Sequence, residues 1–461
     1  MTRHTKTLVL LIAIIACSPA LAQDAPKPDK AKPQPGVPAV SPDDVKKAQE
    51  QFEAGRKLFF QGHYKAAVAK LAEAVKTNAA KTTYKLLLAK AHRYSGSNGE
   101  AIKLLTAILK ENPEHAEAGL ALAELFDPIK DPDKVINTLE PLLKFKHDYP
   151  MYHLLAEAYY EKDDLEKARK YFEQATRLNP RAGGDYYRLG NIYMSQSRFA
   201  RAAIAYERAG ELGIDSDVYH FKLASVYFNM RNYLGRVTTA KIIGGKPGQI
   251  RDNLLIVDAV PGKKDIFYVS GPKSAAYQVV LAQDMGVKIA AIKLLEANTW
   301  LSARRYAKAD ALYKSLEGKL DKADHGLFWF YWAQTALGLD QFDTYIERIN
   351  NAIKAEPDVY KPTLGDAYVT VANRYHQRGE RKKHIEFLNK ALQINPLSAS
   401  LHLTLGDAHW QQGDRERAIQ QYKLVLELEP NHAQRVRLLN RIRGEEDSPQ
   451  TPATIRQAGA Q

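Results

Sequence analysis

Residues 154–180 read LLAEAYYEKDDLEKARKYFEQATRLNP, and residues 405–430 read LGDAHWQQGDRERAIQQYKLVLELEP. Each opens on an apolar run holding a small residue (Ala156, Gly406) and crosses a short polar turn. Each then resumes around Ala168 or Ala418 and halts at Pro180 or Pro430, whose rings lack an N–H and stop helix propagation. The pattern is a helix, a turn and a second helix. Moving outward, the small residue recurs as Gly55, Ala89, Ala123, Ala156, Gly190 and Ala224, at separations of 34, 34, 33, 34 and 34. A fixed step of that length belongs to stacked two-helix units rather than to one globular core. The small side chain marks where the first helix of a unit meets its partner, because backbones approach closely only where no bulky group intervenes.

The second helices repeat the message. Ala67, Ala101, Ala168, Ala202, Ala309 and Ala418 form one column, and Ala74, Ala175, Ala209, Ala352 and Ala391 a second. Tyr64, Phe199, Tyr233, Tyr306 and Phe342 open second helices, while Pro113, Pro180, Pro357, Pro396 and Pro430 follow them. These columns resemble the tetratricopeptide repeat family over about 48–245 and 290–432, roughly ten units, well above the three needed to bury a continuous core. The resemblance implies an all-α, right-handed α-solenoid of about ten helix pairs. It also implies an inner face lined by first helices and used for peptide recognition.

The column slips once, by 73 residues between Ala224 and Ala297, which is one period and 39 more. Residues 246–289 therefore read as an irregular insertion between two arrays, 47–245 and 290–432. Within it, 254–260 (LLIVDAV) and 265–270 (DIFYVS), joined by Pro261-Gly262-Lys263-Lys264, predict a short β-hairpin near 254–270. Two roles suit such a hairpin: a spacer, favoured by its apolar Leu254–Val257, or an exposed strand edge that a partner extends. Gly244–Gly248 reads as a helix stop and turn, since Pro247 removes a donor that a phosphate loop would need. Later spacings of 36 and 39, with Tyr345 and His384 in an alanine column, predict irregular packing.

The ends carry different grammar. Arg3, His4 and Lys6 precede the apolar Leu8–Ala16, and Ala20-Leu21-Ala22 supplies small residues for cleavage, so residues 1–22 read as a secretory signal peptide. Cys17, the sole cysteine, follows Ile14-Ile15-Ala16 in a pattern resembling a bacterial lipoprotein box; ordinary cleavage after Ala22 is favoured over lipidation. No other stretch approaches the ~20 apolar residues of a membrane span. Residues 23–46 read as a Pro-rich disordered linker, 433–443 as a capping helix and 444–461 as a disordered tail. Every Asn fails the N-x-Ser/Thr rule, which fits an exported bacterial protein of the periplasm, or of the outer membrane if Cys17 is acylated.

The formal charge is +13; losing Arg3 and Lys6 with residues 1–22, which contain no acid, leaves +11. Residues 47–100 hold ten Lys/Arg against four Asp/Glu, including Arg56, Lys57, Lys81, Lys85, Lys90 and Arg93. They read as a solvated helix exterior, with an acidic glycan or anionic membrane surface as the alternative partner. Export puts nucleic acid out of reach. No H-E-x-x-H, G-x-x-x-x-G-K-[ST] or G-x-S-x-G occurs, and His376, Lys383 and His384 lack a completing carboxylate or nucleophile, so no catalytic residue, metal or cofactor is expected.

The residues left for recognition lie on first helices. Carried over from the family, the inner face presents Tyr187, Arg188 and Asn191, then Phe221, Lys222, Ser225 and Phe228. The cations suit a carboxylate, Asn191 a peptide backbone and the rings apolar side chains. His153 and Glu157 stand where the family's carboxylate clamp has further cations, which argues against capture of a C-terminus. The rings equally suit packing between helices. Phe328, Trp329, Phe330, Tyr331 and Trp332 cannot all face one side of a helix, so part of that run should reach a groove or solvent. The leading expectation is a non-enzymatic scaffold or adaptor of the bacterial envelope that binds proteins or peptides. The alternative is a component of exopolysaccharide synthesis or export machinery; a third is an enzyme with an unrecognised site near 245–290.

Overall fold

The computed structural model describes residues 41–126, 130–286, 289–320 and 325–445. The signal peptide, Cys17 and most of the tail lie outside them. The chain divides into two compact units, Met1–Lys162 and Asp163–Gln461.

In the first unit α1 (Pro42–Phe60) packs on α2 (Tyr64–Thr77), α3 (Thr82–Tyr94) on α4 (Asn98–Glu111), and α5 (Ala116–Ala123) on α6 (Pro132–Leu139). A 3-10 turn (Glu140–Lys144) leads to α7 (Tyr149–Glu161), which packs on α6. α1 takes residues 42–46 out of the linker expected over 23–46, whose residues 23–40 lie outside the described residues. The Ser41 hydroxyl accepts the Asp44 N–H at 3.1 Å, Pro42 occupies the first turn, and Asp43 and Asp44 sit at the positive end of the helix dipole. A helix start was thus hidden in proline-rich composition.

The second unit opens with α8 (Leu165–Leu178), α9 (Gly183–Ser195), α10 (Phe199–Glu211) and α11 (Asp217–Asn229). After a sheet come α12 (Ala275–Asp284), α13 (Ala290–Ser302), α14 (Tyr306–Leu316), α15 (His325–Gly338), α16 (Phe342–Ala355) and the short α17 (Pro357–Tyr360). The unit ends with α18 (Thr363–Gln377), α19 (Arg381–Ile394), α20 (Ala399–Gln411), α21 (Arg415–Leu428) and α22 (Arg435–Arg443). The helices pack pairwise: α9 with α10, α11 with α12, α13 with α14, α15 with α16, α18 with α19 and α20 with α21. The fold is an all-α solenoid carrying one small sheet.

The small-residue columns do what their spacing predicts. Every alanine in them is fully buried. At Gly190 even a methyl group is too much, since a Cβ would stand 2.6 Å from the Tyr206 ring. In the second unit, first helices close on one left-handed residue followed by a tight bond: Ser197 (φ 56°) before Arg198 N–H to Tyr193 O at 2.8 Å, Arg304 (φ 59°) before Arg305 N–H to Trp300 O at 2.8 Å. The late irregular packing is not found. Ala297, Ala333 and Ala372 are fully buried, Tyr345 and His384 are buried in the alanine column, and the surplus residues fall in connections, one of them containing α17.

The same turn explains the slip. Arg231 (φ 59°) and the bond from Asn232 N–H to Tyr227 O at 2.8 Å end α11 just as α9 and α13 end. In the regular unit Ala202 N–H then bonds Arg198 O, four residues back, at 3.0 Å; here Ala275 N–H bonds Asn232 O, also at 3.0 Å, across 43 residues. The extra 39 residues are therefore one excursion inside the turn of a single repeat. α12 is that repeat's second helix, and its Ala275 and Ala282, seven apart, continue the two alanine columns. This corrects the insertion read over 246–289 and its role as a spacer between two arrays.

The excursion holds four antiparallel strands, β1 (Thr238–Lys241), β2 (Ile250–Arg251), β3 (Leu254–Ala259) and β4 (Ile266–Ser270), in the order β1-β4-β3-β2. The predicted hairpin is β3 and β4, and it forms the centre of the sheet. Leu255 and Val257 pack with Ala276, Tyr277 and Val280 of α12 and with Trp300 and Tyr313, while Ile242, Ile256, Phe267 and Val269 make a second cluster. Arg305 donates to Asp258 at 2.6 Å and Lys308 to the Val257 carbonyl at 2.6 Å, fixing β3 to the following repeat. Gly244–Gly248 contains turns, as expected, but stops no helix; it links β1 to β2.

Candidate functional site

α9 and α11 are first helices of consecutive repeats, and residues one turn apart on them share a face. Tyr187, Arg188 and Asn191 come from α9; Phe221, Lys222 and Ser225 come from α11. The Lys222 ammonium donates to Asn191 Oδ1 at 2.6 Å and stands 5.1 Å from the centre of the Tyr187 ring. Asn191 Oδ1 also accepts the Tyr206 hydroxyl at 2.7 Å, and Tyr187 meets Tyr206 edge-on at 5.6 Å. Burial, with repulsion from Arg188, pushes the Lys222 ammonium below its usual pKa. Lys222 is a half-buried cation whose hydrogen-bond partner is neutral.

Phe221 and Ser225 continue this face into a cavity of ≈ 260 Å³, closed by Leu294, Leu295 and Asn298 of α13 and by Lys319. The arrangement offers a cationic, aromatic shelf beside an apolar hollow, suited to an acid next to an apolar side chain. Two of the expected roles change. Asn191 spends its carbonyl oxygen inside the protein rather than on a ligand. Phe228 leaves the patch and packs on Tyr233 at 5.4 Å. Ser225 donates to the Phe221 carbonyl at 2.9 Å, an intrahelical bond.

Asn298 and Lys319 were not foreseen, yet Asn298 had a signal. It follows Ala297 as Asn191 follows Gly190, and Asp407 follows Gly406. Each accepts a buried tyrosine hydroxyl from the paired helix: Tyr313 to Asn298, Tyr206 to Asn191 and Tyr422 to Asp407. The recurring pair satisfies a phenol that would otherwise be orphaned in the core.

Elsewhere the singled-out residues mostly pack. Phe328 and Trp332 are buried, Trp329 stacks on Trp332 at 5.0 Å, Phe330 lies against Tyr360 at 5.5 Å, and Tyr331 is exposed. Below Trp332, Asp310 of α14 accepts from Trp332 Nε1 at 2.8 Å, Thr335 Oγ1 at 2.9 Å and Arg348 Nη1 at 2.7 Å. Arg56, Lys85, Lys90 and Arg93 of the basic stretch are ion-paired with Glu53, Glu111, Glu117 and Glu124. The His376 and His384 rings lie 4.8 Å apart, with His384 Nδ1 2.9 Å from the Ala372 carbonyl, while Lys383 pairs with Glu380 at 3.0 Å. Asp407, with Arg437 and Arg441 of α22 upon it, caps the last repeat. Among the described residues no cluster suits a metal ion, and no helix is long and apolar enough to cross a membrane.

Two family models match the chain: the tetratricopeptide repeat protein 21 C-terminal ARM domain over 64–251, and a tetratricopeptide repeat over 378–442. Human protein O-mannosyl-transferase TMTC1 is 24% identical over 187 residues, covering 39% of this chain and 21% of its own, so the chain spans about a fifth of that relative's length. Among solved structures, MamA from Desulfovibrio magneticus RS-1 is 21% identical and covers 38% of this chain and 97% of its own, with a TM-score of 0.34. PilF from Pseudomonas aeruginosa is 12% identical and covers 41% of this chain and 86% of its own, with a TM-score of 0.36.

Proposed function

Because this chain belongs to the tetratricopeptide repeat family, a fold of protein-interaction scaffolds, we propose that it is a non-enzymatic adaptor of the bacterial envelope. Its peptide site is the α9–α11 face, and its ligand carries a carboxylate beside an apolar side chain. The observation that carries this reading is Lys222, half-buried, depressed in pKa and hydrogen-bonded to the neutral Asn191 Oδ1 at 2.6 Å. An incoming carboxylate would turn that contact into a charge-assisted one, while Phe221 and the adjoining hollow receive the apolar group. Localisation rests on Arg3, Lys6, Leu8–Ala16 and Ala20-Leu21-Ala22, and fractionation of cells expressing the full chain tests it.

The site is tested by fluorescence anisotropy with labelled decapeptides carrying Leu or Phe next to one Asp, each against its Asn counterpart. Lys222→Met should weaken the Asp peptides at least tenfold and leave the Asn peptides unchanged. Equal binding of both sets would overturn the reading. Crosslinking in cells then identifies the natural partner. Glycan binding that collapses with salt and ignores Lys222→Met would point instead to the polymer-export role.

A further inference from the structure

The sheet inside the sixth repeat has an open side. β4 and β3 are its central strands, so the hairpin itself offers no edge; β1 does. Ile242 N–H bonds the Asp265 carbonyl at 2.8 Å, and β1 runs in register with β4 from Thr238 opposite Val269 to Lys241 opposite Ile266. By antiparallel alternation Thr238 and Ala240 then turn their N–H and C=O groups toward β4, and Thr239 and Lys241 turn theirs outward. No hydrogen bond to those outward groups occurs among the described residues. Thr238, Thr239 and Lys241 are exposed, and exposed Val237 and Ile243 flank the strand.

Charge says what the edge accepts. Arg236, Lys241, Lys246, Lys263 and Lys264 are all exposed on the excursion, and the turn carrying Lys263 and Lys264 lies beside the end of β1. Of the three acids in the excursion, Asp258 is held by Arg305 and Lys308, Asp252 lies in the β2–β3 turn at the opposite edge, and Asp265 accepts the Gly244 N–H at 3.4 Å. Lysine on an edge strand repels a second copy of the same edge. It equally selects a strand of opposite charge.

We propose that β1 is a second docking site, separate from the α9–α11 face, at which an extended acidic peptide segment adds as a fifth strand. Thr239 and Lys241 supply two N–H donors and two C=O acceptors to it, Lys241 and its basic neighbours pair with its acids, and Val237 and Ile243 pack on its apolar residues. The ligand is an extended segment rather than a helix, because the edge reads backbone.

The test uses the full chain and two heptapeptides of alternating Val and Thr, one with glutamate and one with lysine at the central position. Titration is followed by anisotropy and by amide hydrogen exchange. The acidic peptide should bind at least tenfold more tightly than the basic one and protect the Thr239 and Lys241 amides. Thr239→Pro removes one outward donor, a change an edge strand tolerates, and should abolish that binding while leaving helical circular dichroism and the Lys222-dependent peptide binding intact. Lys241→Glu with Lys264→Glu should reverse the preference. Absence of binding, protection confined to α9 and α11, unaltered affinity in Thr239→Pro, or self-association of the wild-type chain through this edge would each overturn the proposal.

Discussion

Replacing Asp310 by alanine leaves three donors facing one another in the seam between two repeats. Arg348 Nη1, Trp332 Nε1 and Thr335 Oγ1 lose a shared acceptor, and the guanidinium, with its Cζ 4.1 Å from the Trp332 ring centre, keeps only the Trp332 carbonyl at 3.1 Å and the Thr335 hydroxyl at 3.1 Å. Removing one partner of a buried ion pair costs roughly 3–5 kcal/mol. The Arg348 side chain is 11% exposed and that of Asp310 26%, so water reaches the vacated acceptor and the lower end, about 3 kcal/mol, applies. Asp310→Asn keeps an acceptor and should cost about 1–2 kcal/mol. Replacing the pair by apolar groups is often close to neutral, so Asp310→Ala with Arg348→Met should recover all but about 1 kcal/mol, a coupling of roughly 2 kcal/mol or more. Because solenoids unfold piecemeal, the readout is hydrogen exchange of α15 and α16 amides rather than a single melt. About 3 kcal/mol is roughly a hundredfold faster exchange. A coupling below about 0.5 kcal/mol would refute the account.

Acid should loosen both units. Burial lowers the pKa of His92, His384 and His409, which stay neutral in the fold while the unfolded chain protonates from about pH 6.5 downward. Stability is therefore full above that pH and falls as pH drops through the lowered folded values; urea titrations at pH 7.5 and 5 should show it, and His384→Gln should flatten part of the slope. Burial would raise the Asp310 carboxyl, but hydrogen bonds from Arg348, Trp332 and Thr335 outweigh it and hold it low, so its share persists until far more acidic pH. Excising 233–271 should leave a regular turn, Asn232-Pro272-Lys273-Ser274-Ala275, and native helical content. It should lower stability by several kcal/mol because Leu255 and Val257, both fully buried, no longer cover α12 and Trp300. A molten helical signal without cooperative melting would contradict the single-turn placement.

The array was legible because its signal is close approach: wherever a first helix touches its partner, Gly55 through Ala372 had to be small. The insertion was misplaced although Ala275 and Ala282 stood in column, 22 and 15 residues before Ala297. Its second helix, AAYQVVLAQD, is apolar on nearly every side, with seven buried residues, because β3 covers a flank that other second helices leave to water. Amphipathic periodicity vanished there for a tertiary reason. On the α9–α11 face Lys222, Asn191 and Tyr187 adjoin, which the repeat spacing makes legible, whereas Phe228 packs away on Tyr233. The side chain that spends its oxygen inward could not be told from the one left for a ligand, since that depends on Tyr206 from another helix.

The bond between Asn232 and Ala275 has an evolutionary corollary. Wherever a chain leaves and re-enters a framework at adjoining atoms, the framework does not register how much lies between, so foreign modules can be acquired, enlarged or discarded there without retuning the host. The other turns, closed by the same atoms in the same way, are standing ports for such cargo, and relatives would be expected to differ most in what they carry at them.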